Sequence, residues 1–211
     1  MILEDIIYKK YENQFNGFYV DIGANDGRTQ SNTFLLETKN NWSGLLIEPS
    51  IKWKDTLCSI RPNSIIENCA ITNYNGKILG DFDGSLMSSV NGERLYNDIL
   101  INGGIKKNIN TVEVDCYTLT ELCKKHNIKN IDLCSIDVEG HEYQTLEGID
   151  FNYLNIKCFV IEVYNHEEEK IFNLFKSKNY NIECISNFNK IKNPNWDGLH
   201  QDYFFSKKDN L

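Results

Sequence analysis

Apolar and polar positions alternate along this chain with two different periods. Residues 2, 3, 6, 7 and 11 are apolar, a spacing that puts them on one face of a helix over residues 2–15. FYVDIG (18–23) then reads as a strand, SNTFLLETKN (31–40) as a helix with Ser31 as its N-cap, and SGLLIEP (43–49) as a short strand stopped by Pro49. A helix over 52–59 and a third strand, SIIENCAI, ending near Ala70, follow. Residues 73–108 are less regular, with a tight turn at Asn75-Gly76 and an exposed Ser- and Gly-rich loop, DFDGSLMSSVNG. Beyond them the pattern predicts a strand (TVEVDCYTL), a helix (TLTELCKKHN), a strand (IDLCSID), a helix (HEYQTLEGI) and a strand (IKCFVIEVY). A helix, HEEEKIFNLFKSKN, starts with acids and ends with lysines, as its macrodipole favours. NIECISNF and QDYFFSKK close the chain as two strand-like runs joined by a polar loop.

Strands that are apolar on both faces and separated by helices predict an α/β fold, a mostly parallel twisted sheet covered on both sides. The last two strands have no helix between them, so they form an antiparallel C-terminal edge. No repeat or proline-rich linker divides the sequence, and one domain over 1–211 is expected, with 1–16 as an N-terminal helix packed on it or covering it. Ligands of such sheets bind beyond the carboxyl ends of the strands, where the strand order reverses. The candidate positions are therefore Asp21–Gly27, Glu48–Ser50, Asn68–Ala70, Asp137–His141 and Glu162–His166.

Charge and composition narrow the partners. The formal net charge of −8 over 211 residues, with scattered lysines, disfavours nucleic acid and anionic membrane surfaces. No run reaches the roughly 18 apolar residues of a membrane span. The first residues lack a secretory signal's order, so a cytoplasmic, soluble protein is expected. The seven cysteines are odd in number, form no C-x-x-C and in several cases sit inside apolar runs, so buried free thiols are expected. Asparagine occurs 28 times, and a lone Asn carries no signal.

The first turn, DIGANDG, departs from G-x-G-x-x-G: Gly23 and Gly27 bracket Ala24, Asn25 and Asp26. A pyrophosphate needs backbone N–H groups free of nearby carboxylates, yet Asp21 and Asp26 flank this turn. A ligand with an ammonium or sulfonium centre suits it better, and S-adenosylmethionine has both. Glu48 lies 27 residues after Asp21 at the end of LLIEP, where an acid accepts hydrogen bonds from the two hydroxyls of a ribose.

FYVDIGANDG…SNTFLLE, WSGLLIEPS, ENCAITNYNG, DGSLMSS and LCSIDVEGHEYQTLEG together resemble, in order, motifs of the FkbM-type methyltransferase family. The resemblance covers roughly residues 17–165. It implies a Rossmann-like class I methyltransferase fold and O-methylation with S-adenosylmethionine, the acceptor being a hydroxyl of a sugar, a glycan or a small molecule. Carried over by position, Asp21, Gly23, Ala24 and Asn25 would hold the methionine end of the donor, with Gly27 in the same turn. Glu48 would hold the ribose, Asn68 and Cys69 would lie beside the adenine, and Asp137 would face the methionine ammonium or the acceptor. Many members carry a lysine two positions before the aspartate of IDVEG, where this chain has Ser135.

SIDVEGHE gathers Asp137, Glu139, His141 and Glu142 at one strand end. Methyl transfer from a sulfonium is an in-line displacement that needs the nucleophile within roughly 3–3.5 Å. A sugar hydroxyl keeps its proton at neutral pH, so a nearby base is expected. His141 is the first candidate and Asp137 the second, with Glu139 orienting neighbours or capping the helix. A metal-assisted version would place Mg²⁺ or Mn²⁺ between Asp137, Glu162 and His166. Ser85 and Ser88 belong either to a loop folding over the donor or to a solvated one, and Trp196, Asp197 and His200 to a loop that would stack on a sugar ring or pack at the sheet edge. Trp42 and Trp53 are expected in the core. Two alternatives stand beside this reading: an NAD-dependent dehydrogenase of similar fold, and a non-catalytic module that binds the donor alone.

Overall fold

The structure, a computed structural model, describes residues 3–85, 88–90, 111–186 and 198–208. Its elements run in the order α1 (Leu3–Tyr11), β1 (Phe18–Ile22), α2 (Phe34–Asn40), β2 (Ser43–Ile47), a 3-10 turn (Ile51–Trp53), α3 (Lys54–Ile60), β3 (Ser64–Glu67), β4 (Ala70–Ile71) and β5 (Gly76–Gly80). After them come β6 (Val112–Tyr117), α4 (Leu119–Lys125), β7 (Asn130–Ile136), α5 (Glu142–Glu147), β8 (Asn155–Tyr164), α6 (Glu168–Ser177), β9 (Tyr180–Cys184) and β10 (His200–Lys207). Seven strands form one sheet in the order β3-β2-β1-β7-β8-β10-β9. The first five are mutually parallel, and β10 runs antiparallel to both β8 and β9, as the absence of a helix between the last two strands predicts. Strand order reverses between β1 and β7, whose C-terminal ends lie side by side, with Asp21 opposite Ser135.

Side-chain alternation along the strands divides the core between the two faces. Val20, Ile22, Leu45, Ile47, Cys134, Ile136, Phe159 and Ile161 pack on one face against residues of α4, α5 and α6, such as Leu122, Leu146 and Phe175. Tyr19, Leu46, Leu133 and Val160 pack on the other against Ile7, Leu36 and Leu57 of α1, α2 and α3. Full burial of side chains this size contributes about 1.5–3 kcal/mol each. The N-terminal helix is thus seated on the sheet. Trp42 is fully buried, and Trp53 is partly buried and donates Nε1–H to the carbonyl of Gly84 at 3.0 Å. All seven cysteines are free; Cys58 and Cys184 are exposed.

Two local expectations are corrected. SIIENCAI is not one strand: β3 ends at Glu67, and Ala70–Ile71 belongs to a second, three-stranded sheet of order β4-β6-β5. The break lies at Asn68, whose Nδ2 donates to the carbonyls of Glu48 and Pro49 at 2.8 and 3.0 Å and so turns the chain off the main sheet. Ser31 does not cap α2. Thr33 holds the cap position without a capping bond, because both hydroxyls are turned inward to Asp21. Trp196 and Asp197 lie outside the described residues.

Candidate active-site cleft

A cleft of about 320 Å³ opens over the β1–β7 seam. Its geometry begins at Gly23, which has φ +87, and a Cβ there would lie 1.8 Å from the carbonyl oxygen of Asp137. Only glycine permits this approach. The N–H groups of Gly23 and Ala24 donate back to the carbonyl of Ile47 at 3.0 and 3.2 Å, tying the turn to β2. Asn25 follows at φ +46, a region Asn tolerates better than most residues. Its N–H donates to Glu48 Oε2, and the N–H of Ser50 donates to Glu48 Oε1, both at 2.8 Å. Glu48 is buried, and that burial pushes its carboxyl up to about 7 despite the two donors. Each oxygen retains a lone pair for a ligand hydroxyl.

Beneath the floor lies a charged network that sequence reasoning did not reveal. Arg61 is fully buried and donates to Glu37 Oε2 (2.7 Å), Gly27 O (2.8 Å), Thr33 Oγ1 (2.8 Å) and Tyr19 Oη (2.6 Å). Tyr19 in turn donates to Glu37. The Thr33 hydroxyl donates in turn to Asp21 Oδ2 at 2.5 Å. Burial still raises the Asp21 carboxyl, against the lowering effect of Arg61 and the hydroxyls. Gly27 packs against α3, where a Cβ would lie 2.5 Å from Leu57 Cδ2, and it does not line the cleft. Asp26 accepts from the Thr29 hydroxyl and from the N–H groups of Arg28 and Thr29, which hold its carboxyl below the ordinary range, and it too does not line the cleft.

The apolar wall comes from the small sheet: Cys69, Ala70 and Ile71 stand across from Phe82 and Val90. Ser85 and Ser88 also line the cleft, and Asn25 Nδ2 donates to the carbonyl of Ser85 at 3.1 Å, so the described part of this loop is a wall. Asn68 supports the Glu48 segment from behind and does not line the cleft.

Acids gather at the opposite end. Asp137, Glu139 and Glu162 line the cleft, with one carboxylate oxygen of each within 4.8 Å of the others. Glu139 sits at φ +57, a strained conformation for a residue of its type, and accepts from Tyr164 Oη at 2.9 Å. His200 Nε2 lies 3.1 Å from Glu162 Oε1. Glu162 stands opposite Asp202 across the β8–β10 pair. Burial first, then repulsion from Asp137 and its neighbours, raises Glu162 well above the carboxylate range, and the same causes push Asp202 up to about 7. Behind them Glu142 accepts from the N–H groups of Val138 and Gly140 at 3.1 Å, fixing the loop, and burial pushes it up to about 8. His141 lines the cleft with Nε2 3.0 Å from Thr72 Oγ1, and burial lowers its ring to about 4. It is neutral at pH 7 and a weak base.

The structure therefore brings together Asp21, Gly23, Ala24, Asn25, Glu48, Cys69, Asp137, Glu139, His141 and Glu162. His166 is exposed and stands outside the acid group, so the expected metal set of Asp137, Glu162 and His166 is not assembled. Asn32, Ser135, Phe82 and Val90 line the cleft as well.

Residues 21–182 match the methyltransferase FkbM domain. No curated protein matches the sequence. Methyltransferase FkbM from Methylobacillus flagellatus KT is similar in structure, with TM-score 0.59 and 13% identity, over 97% of this chain and 48% of that one. This chain thus spans about half the length of that protein. An O-methyltransferase from Bacillus cereus, solved in complex with SAH, is similar at TM-score 0.55 and 8% identity, over 97% of this chain and 80% of the other. Precorrin-6y C5,15-methyltransferase from Geobacter metallireducens GS-15 follows at TM-score 0.50 and 10% identity, over 97% and 88%. At these identities the likeness speaks for the fold.

Proposed function

The chain belongs to the methyltransferase FkbM family and has the Rossmann-like fold of class I methyltransferases, and from that premise we propose that it transfers the methyl group of S-adenosylmethionine to a hydroxyl of a sugar or glycan. The observation that carries this reading is the charge of the cleft. Asp21, Glu48, Asp137, Glu139 and Glu162 line it, and no lysine or arginine does among the described residues. A dinucleotide's pyrophosphate would meet no cation there, whereas a sulfonium and an ammonium meet carboxylates. Glu48 suits a ribose, and the close approach of Gly23 to the Asp137 carbonyl brings the first turn and the end of β7 together at the cleft.

When bound, the donor supplies an electrophilic methyl group. The residues of the chain orient and deprotonate. Glu48 accepts from the ribose hydroxyls, the wall of Cys69, Ala70, Ile71 and Phe82 takes the adenine, and Asp137 stands where the donor side meets the acceptor side. A carboxylate of the cleft takes the hydroxyl proton of the acceptor, whose oxygen would then accept the methyl group that the bound donor would supply. We assign this proton to Asp137, a carboxylate lining the cleft, because the His141 ring is tied through Nε2 to Thr72 and burial has removed its usual advantage in basicity. Glu139 orients the acceptor side through Tyr164.

Calorimetric titration with S-adenosylmethionine, S-adenosylhomocysteine and NAD tests the donor, and preference for NAD refutes the reading. Labelled donor incubated with glycans and small alcohols, with and without Mg²⁺, Mn²⁺ and chelator, tests the acceptor class. Donor binding without turnover on any acceptor would make the protein a binding module.

A further inference from the structure

Between the first turn and α2 stands a polar side chain that the mechanism above leaves without a task. Asn32 is nine-tenths buried, lines the cleft, and donates from Nδ2 to Ser135 Oγ on β7 at 3.1 Å. Its Oδ1 is buried and has no hydrogen-bond partner. A buried amide oxygen left unsatisfied costs about 1–3 kcal/mol, so one carried by a side chain that lines a ligand cleft marks the place of an absent donor. Ser135 is 2% exposed, and its hydroxyl, having accepted from Asn32, still has its own proton to give.

Position says which part of a ligand would meet this pair. Ser135 lies opposite Asp21 on the β1–β7 seam, while Glu48 lies on the far side of β1, at the end of β2. A nucleoside with its ribose at Glu48 and its base against the small sheet sends its other end toward Asn32 and Ser135. For S-adenosylmethionine that end is an amino acid, a zwitterion with a carboxylate to be met by donors and an ammonium to be met by acceptors. Among the described residues no lysine or arginine lines the cleft, so neutral donors must serve the carboxylate. The amide oxygen and the hydroxyl proton offer one acceptor and one donor side by side.

The geometry points to Asn32 and Ser135 as the pair that holds the amino-acid tail of the methyl donor, Asn32 Oδ1 accepting from its ammonium and the Ser135 hydroxyl donating to its carboxylate. The inference rests on the donor assignment above and deepens it.

Calorimetry of the wild type, Asn32→Leu and Ser135→Ala with three ligands separates the two. The ligands are S-adenosylmethionine, S-adenosylhomocysteine and 5′-deoxy-5′-methylthioadenosine, which keeps the nucleoside and sulfur but lacks the tail. Asn32→Leu should weaken the first two about tenfold or more, as loss of one hydrogen bond to a charged group implies, and leave the third within about twofold. Ser135→Ala should show the same selectivity at smaller amplitude. Equal loss of all three ligands would make the pair a support for the cleft's shape, and unchanged affinity for all three would remove it from the site; either overturns the inference. Should Asn32→Leu fail to fold, Ser135→Ala decides by the same comparison. A wild-type protein that binds neither of the first two ligands would instead refute the donor assignment itself.

Discussion

Beneath the cleft, Asp21 and Glu37 lie around one guanidinium and four hydroxyl groups, those of Tyr19, Ser31, Thr33 and Ser64; at its opposite end, Glu162, Asp202 and Glu142 lie among other acids. Both groups are buried acids in one molecule, and they differ in what surrounds them. Arg61 makes the first group a strut: it joins α3, α2 and β1 to the carbonyl of Gly27 and holds the turn from below. Among the described residues the second group has a histidine, a serine hydroxyl and backbone N–H groups around it, and its proton affinity rises. Acids that lack a cationic partner are where a cationic ligand gains most, and raised proton affinity is a mark of such places.

The largest effect should come from removing the strut. Arg61→Met should cost about 3–5 kcal/mol in urea unfolding, since it leaves Glu37 buried without its counter-ion. A loss under about 1 kcal/mol would show that the two groups of acids are not different in kind. Next is Glu48→Ala, which should weaken S-adenosylmethionine about tenfold or more. The pH dependence sharpens this. With the Glu48 carboxyl near 7, only its ionised form accepts from both ribose hydroxyls, so affinity should fall as pH drops through about 7. Calorimetry between about pH 5.5 and 8.5 checks it, and an unchanged wild-type affinity across that range would take Glu48 off the ribose.

Taken per pH unit, the smallest expected effect concerns Glu142. Its carboxyl is held near 8 in the folded chain against 4.5 as the ordinary value, so between those values the folded state holds the proton more tightly than the unfolded state does. Stability should therefore fall as pH rises across that window, by at most about 1.4 kcal/mol per pH unit from this group. Glu142→Gln keeps the acceptor oxygen for Val138 and Gly140 and should flatten the slope in thermal unfolding. A slope identical to wild type would show that the acid is charged where it lies.

The parallel strands, their helices and the antiparallel edge were readable because each strand is a continuous apolar run and each break has a glycine, a proline or a polar cluster. Gly23, Glu48 and Asp137 stood out for the same reason, as the first polar or flexible residues after a run. The small sheet was hidden because SIIENCAI changes sheets at Asn68 without any such break, and the cause is a side-chain bond to Glu48 and Pro49, twenty and nineteen positions earlier. Arg61 was hidden by distance, since it meets Tyr19 over 42 residues. Asn32 was hidden by composition: one asparagine among 28 says nothing until its amide is seen in the cleft. Gly27 has the spacing of a ligand glycine, yet its task is to let α3 approach.

β10 reaches the cleft with His200 and lies between β8 and β9, although β9 precedes it in the chain. Synthesis runs from the N-terminus, so the turn at Gly23, Glu48 and Asp137 leave the ribosome well before residues 200–207. Until that strand slides into its slot, β9 has no neighbour to pair with in the main sheet. A nascent chain halted short of residue 200 would own the cleft with one flank missing, and β10 is the strand that closes it.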